Sequence, residues 1–516
     1  MDQSQSLDFA EEGVEYSEGR TPSVDELQEA LEVAFDSNTQ ILNLSSHIDP
    51  QVAFESEAVH RRKSSLVPDP PSRPKTGRQL TSCYVHQLLD NHRNSDGTFT
   101  PSLEGTLANR KGDKDPHGER TAKDHNHHTE SRLLTKKQLS DMALGIRDLS
   151  KKLSHIKLKL NVRNIFVLVK AHDESLIGHA RELTRWLMQK DKKFVVWVED
   201  TMKDQEKFDA KGLIESDPSF DGRIKYWNNE ICAKKPGTFD IVLGLGGDGT
   251  VLYSSWLFQK IVPPVISFAL GSLGFLTKFD FEAYPQILTR AISDGVTVGL
   301  RLRFEGTIMR SQKRDNSKKR DLVEELIGEE SEDHHTHKPD GTHNVMNEVV
   351  MDRGPNATMS TLELFGDNEH FTTVQADGIC VATPTGSTAY NLAAGGSLCH
   401  PENPVILVTA ICAHTLSFRP IILPDTMVLR VGVPYSARTG SWASFDGRER
   451  VELFPGDYVT ISASRYPFPS VLPLDRKRED WIDSISRTLN WNSRQRQKSF
   501  DDGNGERGQD SNSSSV

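Results

Sequence analysis

Residues 241-IVLGLGGDGTVL-252 pass from an apolar run into a glycine loop and out into a second apolar run. Gly244, Gly246 and Gly249 satisfy G-x-G-x-x-G, a pattern that holds a pyrophosphate against backbone N–H groups at a helix N-terminus. Asp248 sits inside that loop. A carboxylate there repels phosphate unless a metal screens it or it takes part in the chemistry. A hydride-transferring enzyme would also carry an acid about 20 positions on to hold the ribose hydroxyls. The next strand ends 268-FALGSLGFL-276, with no acid. Adjacent N–H groups across Gly246, Gly247, Gly249 and Thr250 can instead nest a polyphosphate. A carboxylate beside a bound triphosphate suits two tasks. One is accepting the proton from a hydroxyl that attacks the γ-phosphoryl group. The other is holding Mg²⁺. Both belong to phosphoryl transfer; the structural alternative is a tight turn with an Asx-type hydrogen bond.

Outward from the loop, short apolar runs alternate with amphipathic stretches. NIFVLVK (164–170), KFVVWVED (193–200), FDIVLGL (239–245) and PVISFAL (264–270) read as strands. ESLIGHARELTRWLMQK (174–190) and TVLYSSWLF (250–258) read as helices, and Leu139 to Ile156 follows helical spacing. Strands alternating with helices predict a Rossmann-like parallel α/β sheet, with ligands at the carboxyl ends of its strands. After about residue 300 the runs become short, β-branched and aromatic, and are punctuated by Gly, Pro, Asp and Asn. That predicts an all-β sandwich, interrupted by one helix at 387–396. The charged segment 311–343 reads as an inserted surface loop. The boundaries expected are a polar arm at 1–130, the α/β domain at 131–300, the sandwich at 301–455, a return to the α/β domain at 456–482, and a tail at 483–516.

Hydrophobic residues make up 36% of the 516, less than a wholly globular chain carries, so the arm and tail are expected to be disordered. The net charge of −11 and the absence of a sustained basic face argue against nucleic acid as a partner. Five scattered cysteines without C-x-x-C spacing read as reduced and intracellular. With no apolar run long enough for a bilayer and an acidic N-terminus unlike a transit peptide, a cytoplasmic protein without a membrane partner is expected. Ser64 and Ser65 follow three cations in RRKSSL (61–66), and Ser499 follows Arg496 and Lys498. These are sites a regulatory protein kinase could use. The histidine-rich HNHH (125–128) and HHTH (334–337) read as flexible polar segments, not metal sites.

Two further stretches carry polar residues where an apolar strand pattern would exclude them. In 345-VMNEVVMDRG-354, Asn347 and Glu348 point to opposite faces if the segment is a strand. An amide and a carboxylate together suit a ribose or an adenine edge; a bulge or strand end is the alternative. In 376-ADGICVATPTGSTAYNLAAGG-396, Asp377 precedes a strand, and Thr383, Thr385, Ser387 and Thr388 crowd a Pro-Gly turn. Helix capping accounts for one or two of these hydroxyls and leaves others for a phosphate or sugar. Tyr390 offers a flat face to a nucleobase.

GGDGT, NEVV and DG-x4-TPTGSTAY, in this order, resemble the NAD kinases over roughly residues 160 to 480. SLGFLT (272–277) and SFDGRERVELFPGD (444–457) resemble further segments of the eukaryotic members. GGDG alone is shared with phosphofructokinases and with diacylglycerol and sphingosine kinases. The resemblance implies an α/β domain joined to a β-sandwich with the site between them. It implies phosphorylation of the 2′-hydroxyl of the adenosine ribose of NAD or NADH by ATP with Mg²⁺. Asp248 would be the proton acceptor. Gly246, Gly247, Gly249 and Thr250 would form the phosphate loop. Asp248, Gly249, Asn347, Glu348, Asp377, Thr388, Ala389 and Tyr390 would bind the dinucleotide. No protein metal site is implied beyond the ion that ATP carries, and a homo-oligomer is implied. Many bacterial members carry Gln where this chain has Arg448, whose role stays open. A lipid kinase sharing GGDGT and a non-catalytic NAD(P) sensor are the competing readings; the intact motifs count against both.

Overall fold

The computed structural model describes residues 130–170, 173–271, 273–312, 319–327, 336–415, 417–473 and 480–490. The arm before residue 130, with Ser64, Ser65 and HNHH, lies outside the described residues, as does Ser499.

Among the described residues seven strands precede residue 302: β1 (Asn164–Val169), β2 (Val195–Glu199), β3 (Ile224–Trp227), β4 (Ile241–Gly246), β5 (Val265–Ala269), β6 (Phe279–Asp280) and β7 (Thr297–Arg301). Among them run the longer helices α1 (Lys136–Leu153), α2 (Ile177–Lys190), α3 (Asp248–Leu257) and α4 (Tyr284–Ser293). β4 and β5 are buried at every residue and β1 at all but its first, as strands covered on both faces must be. Thr135 starts α1 with a capping box to Gln138, and Leu139, Ala143, Leu149 and Leu153 form its buried stripe.

The second half supplies β8 (Phe304–Ser311), β9 (His337–Val345), β10 (Glu348–Asp352), β11 (Ser360–Gly366), β12 (Glu369–Ala376), β13 (Gly378–Ala382), β14 (Val405–Ile411), β15 (Ile421–Pro424), β16 (Leu429–Gly432), β17 (Ser441–Phe445), β18 (Glu449–Leu453), β19 (Tyr458–Ala463) and β20 (Phe468–Leu472). The chain then enters α5 (Asp480–Leu489). Two antiparallel sheets, β15-β14-β13-β10-β17-β18 and β12-β11-β16-β19-β8-β9, close over one core that includes Phe304, Val349, Ile379, Val431, Phe445 and Ile461. This is an α/β domain followed by an all-β sandwich.

The first sheet runs β3-β2-β1-β4-β5, all parallel. β20 returns beside β5, and β7 pairs antiparallel with β20. Strand order reverses at β1 and β4, so the loops after those two strands open a crevice at their carboxyl ends. The glycine loop leaves β4 there.

Four details differ from the sequence reading. The loop expected over 311–343 is partly regular: Leu322–Leu326 is a short helix, and His337–Val345 pairs with β8. HKPDGTH lacks a β-branched pattern, and backbone pairing to β8 makes it a strand. YVTISAS (458–464) stays in the sandwich as β19, past the boundary placed at 455, because this wholly buried strand pairs between β16 and β8. The tail placed at 483 begins instead as α5, with Ile485 3% exposed. The helix expected at 387–396 is a 3-10 turn, Thr385–Thr388, followed by Tyr390–Ala393. Among the described residues no helix is long and apolar enough to cross a membrane.

Candidate active site between the two halves

The glycine loop ends β4 and opens α3. Gly246 has φ +152°, and a Cβ on it would lie 2.3 Å from Thr250 Oγ1. That position therefore requires glycine. Around Gly247 and Gly249 no atom lies within 4 Å of a built Cβ. Their bare backbone leaves that side of the loop clear for a ligand. Thr250 is 5% exposed, yet its Oγ1 has no partner within the protein.

Asp248 is the first residue of α3, at the end of the helix where an anion is favoured. Its carboxylate is held by the segment after β5. Oδ1 accepts from Leu276 N (3.0 Å), Thr277 N (3.0 Å) and Thr277 Oγ1 (3.1 Å), while Oδ2 accepts from Phe275 N (2.9 Å). A Cβ at Gly274 would sit 2.2 Å from Asp248 Oδ1, so glycine there permits the approach. Oδ1 is crowded with donors. Oδ2 takes one and keeps a lone pair.

On the sandwich side, Asn347 and Glu348 lie where the chain enters β10, 7% and 8% exposed. Asn347 Oδ1 and Glu348 Oε2 are both buried without a partner in the protein. Leaving such atoms unsatisfied costs about 1–3 kcal/mol each unless a ligand or water meets them. Burial, reinforced by the charge of Asp446, pushes the Glu348 carboxyl up to about 8, against a backbone hydrogen bond from Tyr390 that lowers it.

The hydroxyl-rich turn locks onto the same segment. Thr383 N donates to Asn347 O (2.8 Å), and Thr383 Oγ1 donates to Met346 O (2.6 Å) and accepts from Gly386 N (3.0 Å). A Cβ on Gly386 would lie 2.2 Å from Asn347 O. Ser387 bonds both backbone groups of Cys399, so it is structural. Thr388 Oγ1 donates to Thr385 O (3.4 Å), and Ala389 N donates to Gly386 O (3.0 Å). Tyr390 is 43% exposed, its phenol raised by burial and by the charges of Asp352 and Asp377. Asp377 itself pairs with Arg353 at 3.0 Å.

Residues 346–348 and 383–390 thus form one cluster and the 246–250 loop with 274–277 another, while Asp377 lies at the opposite end of β13, level with Asp352 of β10. α3 joins them. Its Val251 and Leu257 share an aromatic core with Phe166, Trp227, Phe239, Phe258 and Met346, the residue before Asn347. Arg448 stacks over Tyr253 at 4.4 Å, which gives that cation a place in the seam. Trp256 stacks on His343, and Gln259 bridges both backbone groups of Asn344.

Two residues of this construction escaped the sequence reading. Asp446, at φ +49°, accepts from Met346 N, Asn347 N and Glu348 N (2.8, 2.8 and 3.1 Å). Arg303, fully buried, donates to main-chain carbonyls around the end of α3. The Asp-Gly of SFDG could have signalled a left-handed turn; nothing local marks Arg303.

Family models for the ATP-NAD kinase N-terminal domain and the ATP-NAD kinase C-terminal domain match residues 165–296 and 346–472. An ATP-NADH kinase of Saccharomyces cerevisiae is 42% identical over 363 residues, 70% of each chain. The chain belongs to the NAD kinase family, the ATP-dependent kinases of NAD. The NAD(+) kinase of the same yeast is 45% identical over 367 residues, 70% of this chain and 66% of that protein. A crystal structure of a yeast NADH kinase complexed with NADH superposes with a TM-score of 0.51 at 27% identity, covering 67% of this chain and 91% of that one. Each of the two sequence alignments covers 70% of this chain.

Proposed function

We propose that this family member transfers the γ-phosphoryl group of ATP to the 2′-hydroxyl of the adenosine ribose of NAD or NADH, making NADP or NADPH. The observation that carries this reading is the Asp248 carboxylate, fixed at the N-terminus of α3 beside the bare backbone of Gly247 and Gly249. In the reaction the 2′-oxygen attacks the γ-phosphorus, the bond to the β-bridging oxygen breaks, and ADP leaves. The hydroxyl proton goes to Asp248. Oδ2 is the atom with a lone pair to take it, and the 275–277 amides hold the carboxylate oriented.

The N–H groups across Gly246, Gly247, Gly249 and Thr250 would cradle phosphate, with the Thr250 hydroxyl an unused donor at that spot. Asn347 Oδ1 and Glu348 Oε2 are unpaired groups that the adenosine half would satisfy, with Asp377, Thr388, Ala389 and Tyr390 completing its enclosure. The loop offers one carboxylate among backbone donors, a set that fits magnesium carried on ATP phosphates better than a caged ion. Bound there, the ion would neutralise charge on the transferring group. That NADH occupies the related yeast enzyme supports the reduced dinucleotide as a second acceptor. A homo-oligomer belongs to the same proposal, with exposed Ile422 on edge strand β15 as a surface it could cover; light scattering tests it. Control by protein kinases acting on Ser64, Ser65 or Ser499 is proposed for residues outside those described.

The deciding experiment is a coupled assay for NADP formation from ATP, Mg²⁺ and NAD, run beside NADH and a diacylglycerol control. Turnover with a dinucleotide is expected. Tight NAD binding without turnover would favour a sensor instead.

A further inference from the structure

Arg303 lies in the crossover from β7 to β8, where the chain first passes from the α/β domain to the sandwich. Its guanidinium is wholly buried. Nη1 donates to Phe258 O (3.0 Å) and to Ser255 O and Oγ (both 3.3 Å). Nη2 donates to Gln259 O and Lys260 O (both 3.2 Å), and Nε donates to Tyr466 O (2.6 Å). Ser255 to Lys260 spans the C-terminal end of α3 and the three residues after it, where orphan carbonyls and the negative end of the helix dipole attract a cation. Tyr466 lies in the second crossover, from β19 back to β20. One side chain therefore clasps two described connections between the domains and the far end of the helix that carries Asp248. Only a planar fork with five N–H donors fits so many acceptors.

The chain leading into the Asn347–Glu348 segment is tied to the same place: Ser464 N donates to Arg303 O, Ser464 Oγ donates to Asn344 Oδ1, and the segment itself is held by Asp446. Its charge acts on Arg303, and its two oxygens take the N–H groups of Met346, Asn347 and Glu348. The carboxyl is enclosed, although the residue's backbone turns at the surface beside exposed Gly447.

We propose that Arg303 and Asp446 are a positioning pair: Arg303 fixes α3 by the carbonyls at its C-terminal end, Asp446 fixes the Asn347–Glu348 segment by its amides, and together they set the Asp248 carboxylate against the bound dinucleotide. Neither touches substrate. The pair governs the alignment of the two half-sites; Arg303, on the α3 side, acts on turnover more than on dinucleotide affinity, whereas Asp446, which holds the Asn347–Glu348 amides, acts on both. A small misplacement of reacting groups is enough to lower the rate substantially. The catalytic part of this inference rests on the kinase reading above.

The test uses the full chain and the variants Arg303→Lys, Asp446→Asn and their combination. For each, kcat and KM are measured with NAD and ATP, NAD affinity by calorimetry, and amide hydrogen exchange across residues 248–260 without substrate. Arg303→Lys keeps the charge and loses the fork. It is expected to lower kcat at least tenfold, to change NAD affinity less than threefold, and to speed exchange in α3. The double variant is expected to be no slower than the slower single one, because both break one device. Gln259→Ala, which removes the Asn344 bridge and the bond to Trp256 O at the same helix end, is the milder variant should Arg303→Lys not fold. It is expected to show the same split on a smaller scale. Unchanged kcat in a folded Arg303→Lys protein overturns the proposal. So do kcat and NAD affinity falling by the same factor in that variant, or single effects that simply multiply. If the wild-type chain makes no NADP, the kinase reading fails, while the exchange comparison still decides whether Arg303 holds α3.

Discussion

At the scale of single residues, Asp248 and Glu348 show how position turns two carboxylates to different uses. Asp248 stands at a helix N-terminus and accepts four hydrogen bonds. Replacement by Asn keeps the shape but removes the proton acceptor, and kcat is expected to fall about 10²- to 10⁴-fold. NAD affinity by calorimetry should stay close to wild type. Near-normal kcat in that variant would take Asp248 out of the proton-accepting role. Glu348 is buried, lacks a partner on Oε2, and is pushed from 4.5 up to about 8. Between those values the folded protein keeps a proton that the unfolded chain has released. Stability therefore falls as pH rises through that window and levels off above it. Glu305, pushed up to about 7, adds to the same slope. Glu348→Gln is expected to reduce, not abolish, the decline of the unfolding midpoint between about pH 5 and 8. An unchanged slope would mean that Glu348 is ionised in the folded protein.

At the scale of elements, the site depends on close approaches between loops and helix ends. Gly274 and Gly386 each allow a neighbour to within 2.2 Å of where a Cβ would stand. Gly386→Ala must push the hydroxyl-rich turn off the Asn347 carbonyl. The expected result is at least a tenfold weaker NAD complex, about 1.4 kcal/mol, measured by calorimetry. Gly274→Ala presses on Asp248 instead, and is expected to lower kcat with little change in NAD affinity. If the two variants affected the same quantity, the division of labour between the loops would be wrong. α3 is the element on which both halves converge. Its first residue is Asp248, its middle packs under Met346 and Arg448, and its end lies in the grip of Arg303.

At the scale of the molecule, the N-terminal stretch 130–153 is strapped across both halves. Ser150 bonds Leu300 of β7, Lys136 pairs with Asp367, and Arg147 pairs with Asp425, whose side chain is 5% exposed. Burial raises the Asp425 carboxyl, and Arg147 opposes the rise. Arg147→Met strands that carboxylate. It is expected to cost about 1–3 kcal/mol in urea unfolding, less in acid, where the stranded group takes a proton. A loss independent of pH would show that the strap works by packing alone.

What the sequence determined by itself was whatever local pattern encodes. Apolar runs of strand length alternating with amphipathic helices are enough to write the α/β half, and β-branched runs between turn residues are enough to write the sandwich. GGDG, Asn347-Glu348 and TPTGSTAY were visible because glycines, hydroxyls and polar pairs stand out against apolar strands. IKYW (224–227) was passed over because four residues with one buried side chain carry little periodicity, and pairing with β2 makes it β3. Only the tertiary structure decided what holds these stretches together. Asp446 reaches a segment about a hundred residues earlier, and Arg303 reaches a helix end whose Ser255 lies 48 residues before it. A buried charge is recognisable only by the groups that surround it, and those come together only when two sheets and one helix have packed.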